Sequence, residues 1–245
     1  MPKIIEFTGM PNSGKTTLIH NLRSKLQANH GITVQIQRED AEVVPKTIPK
    51  KTWNRNLWIT FGQFQSLVEA QHANTDVVFL DRGMFDAFFW SKFMYSQKVA
   101  TEKQSLGMQK IISQIYKNIE LYPDAIILVD VSVEESLKRR SLMEGQSVYS
   151  KPDYLKQYQQ KFFEVFKPYI ENDDSKKIIP VPSFYIDTTN LNKEEVTEIV
   201  EHEIVKLCKN EWTQALAAYN LIGGFYILIQ MVKIKNLYKS LINML

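Results

Sequence analysis

The sequence predicts an α/β protein of three layers, a five-stranded parallel sheet flanked by helices. Three observations carry this. Short, unbroken apolar runs alternate with segments of helical period, the pattern of strands covered on both faces. Residues 9–17 read Gly9-Met10-Pro11-Asn12-Ser13-Gly14-Lys15-Thr16-Thr17, a glycine-rich turn between a strand and a helix. Polar clusters then follow three successive apolar runs: this turn, Arg38-Glu39-Asp40, and Asp81-Arg82-Gly83. Ligands of open parallel sheets bind beyond the carboxyl ends of the strands, so three strand ends converge on one crevice.

The elements follow in order. Residues 3–8 form a buried strand, and residues 15–29 an amphipathic helix with Leu18, Ile19, Leu22 and Leu26 on its apolar face. Residues 33–37 give the second strand, followed by a polar segment with Pro45 and Pro49. A helix over 53–74 has an aromatic face of Trp53, Leu57, Trp58, Phe61, Phe64 and Leu67. The spacing predicts that this face is buried in a core. Residues 77–80 form the third strand, with helices over 84–96 and 101–121. Residues 125–129 are the fourth strand, 134–144 a helix with Lys138, Arg139 and Arg140, and 152–172 a further helix. Residues 184–186 and 193–208 supply the fifth strand and the closing helix.

The glycine-rich turn is G-x-x-x-x-G-K-T, a phosphate-binding loop. Its residue types follow from a triphosphate ligand, ATP or GTP. Gly9 and Gly14 let the backbone curl, so that the amides of Asn12, Ser13, Gly14, Lys15, Thr16 and Thr17 approach the phosphates. Lys15 reaches the β- and γ-phosphates, the Thr16 hydroxyl holds Mg²⁺, and the helix N-terminus directs its dipole at the anion.

Composition narrows the class. At 44% hydrophobic and 23% charged, the chain folds as a globular protein with a sizeable core. A net charge of +3 gives no strong nucleic-acid signal, and a cluster around phosphates accounts for it. A single cysteine, Cys208, excludes an intramolecular disulfide and fits a reducing compartment. With no secretory signal ahead of the loop, the expectation is cytoplasmic.

A GTPase would read guanine with Asn-Lys-x-Asp after a strand. The nearest match, Asn192-Lys193-Glu194-Glu195, lacks the aspartate and starts a helix. A small-molecule kinase needs a metal carboxylate, cations for the transferring group and exclusion of water. Asp81 ends the third strand, where it can order Mg²⁺, and Arg82 beside it can meet phosphate oxygens. Arg139 and Arg140 precede Glu144-Gly145-Gln146-Ser147, where a lid near 139–151 could bring them over ATP.

These motifs, with Val-Asp-Val-Ser-Val-Glu-Glu-Ser-Leu-Lys-Arg-Arg after the fourth strand, resemble the thymidylate kinase and deoxynucleoside kinase group of P-loop kinases over residues 3–208. The resemblance implies a three-layer P-loop kinase fold over residues 1–208. It also implies transfer of the γ-phosphoryl group of ATP to a nucleoside or nucleoside monophosphate. Glu39 matches the general base that deprotonates a nucleoside 5′-hydroxyl, whereas a monophosphate would use Arg38 and Arg82 as clamps. The 53–74 helix implies a wall of the acceptor pocket, with Trp58 against a base and Gln63 or Gln65 at its edge. Two positions depart from the pattern: Asp40 replaces a proline, and Gly83 replaces an aromatic residue or serine. A polynucleotide 5′-kinase, another small-molecule P-loop kinase and a non-catalytic nucleotide switch are the alternatives.

Residues 209–245 lie outside this pattern. Ala215 to Val232 is apolar except at Asn220, Gly223, Gly224 and Gln230, with Lys233, Lys235 and Lys239 beyond it. A helical extension packing on the core or on a second subunit is the favoured expectation, which leaves a homodimer open. Membrane contact by the tail is the alternative.

Overall fold

A computed structural model of the protein describes residues 1–142 and 151–209. The expected lid segment at 143–150 and the tail at 210–245 lie outside the described residues. Met1–Glu201 form one compact unit, and a second begins at His202.

Five parallel strands form one sheet: β1 (Lys3–Gly9), β2 (Val34–Gln37), β3 (Val77–Asp81), β4 (Ala125–Asp130) and β5 (Ser183–Asp187). Their order is β2-β3-β1-β4-β5, with β1 central between β3 and β4. The register sets Phe7 beside Asp81 and Gly9 beside Val129, so the loop and the Asp81 turn leave the same end of the sheet. Among the described residues, seven α-helices accompany the strands: α1 (Lys15–His30), α2 (Trp53–Gln71), α3 (Met84–Ser96), α4 (Glu102–Gln114), α5 (Val133–Ser141), α6 (Pro152–Ile170) and, after the last strand, α7 (Lys193–Cys208).

Alternate strand residues bury both faces. Ile4, Val78, Leu80, Ile126 and Leu128 join Phe85, Phe89, Phe93, Met108, Tyr158 and Phe162 of α3, α4 and α6 in one core. Ile5, Phe7, Val77 and Phe79 are buried on the opposite side of the pleat, where Phe7 and Phe79 meet edge to face at 5.1 Å. The architecture is the three-layer α/β P-loop kinase fold expected from the sequence.

Three details depart from expectation. A short 3-10 turn, Asp40–Glu42, follows β2. The long helix expected over 101–121 ends at Gln114 and continues as a π-helical turn, Ile115–Ile119. The third departure is the orientation of α2. Its buried residues are Asn56, Thr60, Gln63, Leu67 and Ala70, whereas Phe61 is 56% exposed. Of the face expected to lie in the core, Leu67 is buried and Trp53, Leu57 and Phe64 pack partly buried against the core, whereas Phe61 is turned to solvent and a polar stripe also points inward.

Candidate active site

The phosphate loop is held open by its surroundings. A Cβ on Gly9 would lie 1.9 Å from the Val129 carbonyl oxygen, so only glycine fits where β1 gives way to the loop beside β4. Asn12 and Gly14 take left-handed backbone angles, φ 59° and 89°, that turn the chain into α1. The loop carbonyls are occupied from outside. The Tyr158 hydroxyl donates to Gly9 O at 3.2 Å, Ser136 Oγ to Pro11 O at 2.9 Å, and Thr188 Oγ1 to Ser13 O at 3.3 Å. Asn12 Nδ2 donates in turn to Ser136 Oγ at 3.1 Å, fastening the loop to α5. Tyr158, Ser136 and Thr188 were not signalled in the sequence, because each acts through a contact more than a hundred residues away in the chain.

Lys15 is buried and folded back on the loop, donating to Met10 O at 2.7 Å and Gly9 O at 3.2 Å. Burial, with the Arg82 charge second, pushes its ammonium down to about 7. Beyond the phosphate role expected of it, Lys15 ties the loop's own carbonyls together.

Thr16 and Asp81 meet as a metal pair would require: Thr16 Oγ1 donates to Asp81 Oδ2 at 2.7 Å. Asp81 Oδ1 is buried without a hydrogen-bond partner among the described residues. A hydroxyl beside a carboxylate with one unused oxygen suits a hard divalent cation with bound waters.

Beyond Asp81 the chain turns sharply. Arg82 adopts φ 68°, a left-handed conformation rare outside glycine and asparagine. Its Nε lies 3.0 Å from Glu39 Oε1, and its Nη1 donates to Asp86 Oδ1 at 2.7 Å. Asp86 also accepts from Thr8 Oγ1 at 2.7 Å, which anchors the arginine to β1. Burial raises the Glu39 carboxyl above its ordinary range, while Arg82 opposes that shift. Asp86 went unnoticed in the sequence; its signal was the i,i+4 spacing from Arg82.

Glu6 explains Gly83. The Glu6 carboxyl is fully buried and accepts from the backbone N–H groups of Gly83, Phe85 and Asp86 at 3.1, 3.2 and 2.9 Å. It thus satisfies the open N-terminal turn of α3. A Cβ at position 83 would lie 2.5 Å from Glu6 Oε2, so an aromatic residue or serine there would displace the Glu6 carboxyl from this position. Burial pushes the Glu6 carboxyl up to about 8.

The expected acceptor residues divide between two hollows. Glu39, Gln63 and Arg82 line one cavity of about 830 Å³, together with Asn56, Trp90 and Phe93. Arg38, Asp40 and Trp58 line a separate depression of about 690 Å³ with Phe61 and Gln65. The reason is the 3-10 turn after Glu39, where Asp40 packs on α2. A Cβ on Gly62 would lie 2.6 Å from Asp40 Oδ1. Asp40 Oδ2 also accepts from Ser66 Oγ of α2 at 3.5 Å, and the structure does not bring Asp40, Arg38 or Trp58 to the Glu39 cavity.

Arg139 also differs from expectation. It pairs with Glu135 at 3.0 Å and donates to Thr188 O at 2.7 Å and Ser13 O at 3.3 Å. These contacts brace the loop from α5. Arg140, half-buried, lies in the last turn of the same helix.

No protein-family model matches the chain. Curated relatives do. A probable thymidylate kinase 1 of Saccharolobus solfataricus is 25% identical over 208 residues, 81% of this chain and 94% of its own length. A probable thymidylate kinase of Methanocaldococcus jannaschii is 27% identical over 218 residues, 84% of this chain and 95% of its own. Among solved structures, deoxyadenosine kinase from M. mycoides with dCMP and dCDP bound superposes with a TM-score of 0.60 at 16% identity, covering 83% of this chain and 99% of that one. The same enzyme with dATP bound gives 0.60 at 17% identity. The chain is thus similar in sequence to probable thymidylate kinases and similar in fold to a deoxynucleoside kinase.

Proposed function

We propose that this protein is an ATP-dependent kinase that phosphorylates the 5′-hydroxyl of a nucleoside. The observation carrying the nucleoside reading is the Glu39–Arg82 contact of 3.0 Å on the wall of the 830 Å³ cavity. An acceptor hydroxyl must lose its proton, and a carboxylate with a raised pKa, held by a guanidinium, is a fitting base. In the step, the acceptor oxygen forms a bond to the γ-phosphorus as the bond to the departing ADP breaks, and the hydroxyl proton passes to Glu39. Arg82, held by Asp86, faces the charge on the transferring group, while the loop amides and Lys15 hold the β- and γ-phosphates. Thr16 and Asp81 would hold Mg²⁺, which supplies charge neutralisation on the phosphates.

A monophosphate acceptor is the second reading. It is favoured by the names of the curated relatives and by Lys50, Lys51, Arg55 and Lys151, which line the same cavity. Against it, Arg82 is already paired with two carboxylates and Arg38 lines the other depression. The test is ADP formation from ATP with a panel of nucleosides and nucleoside monophosphates, set against ATP alone. Turnover on a nucleoside is expected. Turnover on monophosphates alone would replace the acceptor, and none above the ATP background would reject the kinase reading.

A further inference from the structure

Helix α2 buries a polar stripe beside the apolar residues that it packs on the core. Asn56, Thr60 and Gln63, at i, i+4 and i+7, are 5%, 3% and 2% exposed, while Phe61 on the other face stands in solvent. Burying amides is unfavourable unless they find partners. Thr60 has one, donating from Oγ1 to Asn56 O at 2.9 Å. Asn56 Nδ2 and Gln63 Oε1 have none among the described residues, and both residues line the cavity that holds Glu39 and Arg82. Two residues of one cavity wall therefore carry a buried, unused donor and a buried, unused acceptor.

Two helical turns separate these residues, about 10 Å along the axis. That is close to the length of a nucleoside and longer than one edge of a base. Asn56 and Gln63 therefore suit different parts of one ligand. Resting on the nucleoside kinase reading, we infer that Asn56 is a specificity-determining residue, its Nδ2 donating to an oxygen acceptor on the nucleoside. That oxygen is a base carbonyl or a sugar hydroxyl. A site built to bond a ligand oxygen rejects analogues that lack it, because the buried group is then left unpaired.

The full-length protein and its Asn56→Leu and Asn56→Ala variants are compared by thermal melting without ligand and by steady-state kinetics. The nucleoside panel includes 3′-deoxy and base-altered analogues. Leucine removes the unpaired amide and fills its space, so ligand-free Asn56→Leu is expected to melt about 2–4 °C above the parent. Its kcat/KM for the best nucleoside is expected to fall about 10- to 100-fold, with KM for ATP unchanged. If the partner is a sugar hydroxyl, removing the 3′-hydroxyl costs the parent a similar factor and costs the variant little. If it is a base carbonyl, the variants lose the parent's ranking of bases and keep its 3′-hydroxyl dependence. Either pattern supports the inference. Variants that match the parent within about twofold and keep its ranking overturn it while leaving the kinase reading intact. Lower melting with an unchanged ranking assigns Asn56 to packing and overturns it as well. A parent inert toward nucleosides and monophosphates alike removes the kinase reading, and this inference with it.

Discussion

Arg82 Nε lies 3.0 Å from Glu39 Oε1, joining the end of the second strand to the turn after the third. The pairing has consequences for both residues. Glu39→Gln keeps shape and a hydrogen bond but removes the base, so turnover on a nucleoside is expected to fall about 10²–10⁴-fold with little change in KM. Because burial raises the Glu39 pKa, the parent's rate should fall with decreasing pH from above the ordinary carboxylate range. That acid limb should be missing in the variant. Arg38→Ala, in the separate depression, should leave both parameters near the parent's.

Lys15→Ala removes a cation placed for phosphate and also two contacts that close the loop on itself. Turnover should drop about 10²–10³-fold, with a raised KM for ATP. Melting curves and circular dichroism of the variant should still show a folded protein. Near-parental activity would contradict the phosphate-loop assignment.

Asp81→Asn keeps the acceptor for Thr16 Oγ1 but lowers the charge facing a cation. The magnesium concentration giving half-maximal rate should rise and the maximal rate fall, with ATP binding measured without metal little affected. A magnesium titration superimposable on the parent's would remove the metal role.

Glu6 makes stability depend on pH in a stated direction. Its folded pKa of about 8 lies above its unfolded value, so the folded protein keeps a proton that the unfolded chain releases. This stabilisation is fully present below the unfolded carboxylate pKa and is lost as pH rises through about 8. Glu6→Gln cannot titrate, and its amide N–H₂ would face backbone N–H donors of α3. The variant should be less stable than the parent near pH 5, and the gap should narrow toward pH 9 by up to roughly 1.4 kcal/mol per pH unit. Denaturant melts across that range give the comparison. A constant gap would show that Glu6 does not carry the proton.

The sequence alone determined the sheet, the loop and the strand-end carboxylates. Each is written in local spacing: apolar runs for buried strands, Gly9 and Gly14 around Lys15, and Asp81 and Glu39 directly after apolar runs. Tertiary structure decided whatever depends on how distant segments meet. The 3-10 turn sent Asp40 to α2 and Glu39 to Arg82, although the two residues are neighbours in the chain. Periodicity located the face of α2 that carries its aromatics, but only packing against α3 and the cavity decided that Asn56 and Gln63 point inward. Arg139 read as a cation for a lid, and a contact with Thr188, 49 residues on, made it a brace for the loop. Gly83 departed from the family pattern without a local reason, which lay in the carboxylate of Glu6, 77 residues earlier in the chain. Local spacing fixes which residues share a strand or a helix turn, whereas side-chain partners depend on strand order and helix rotation, which are settled by burial over the whole core.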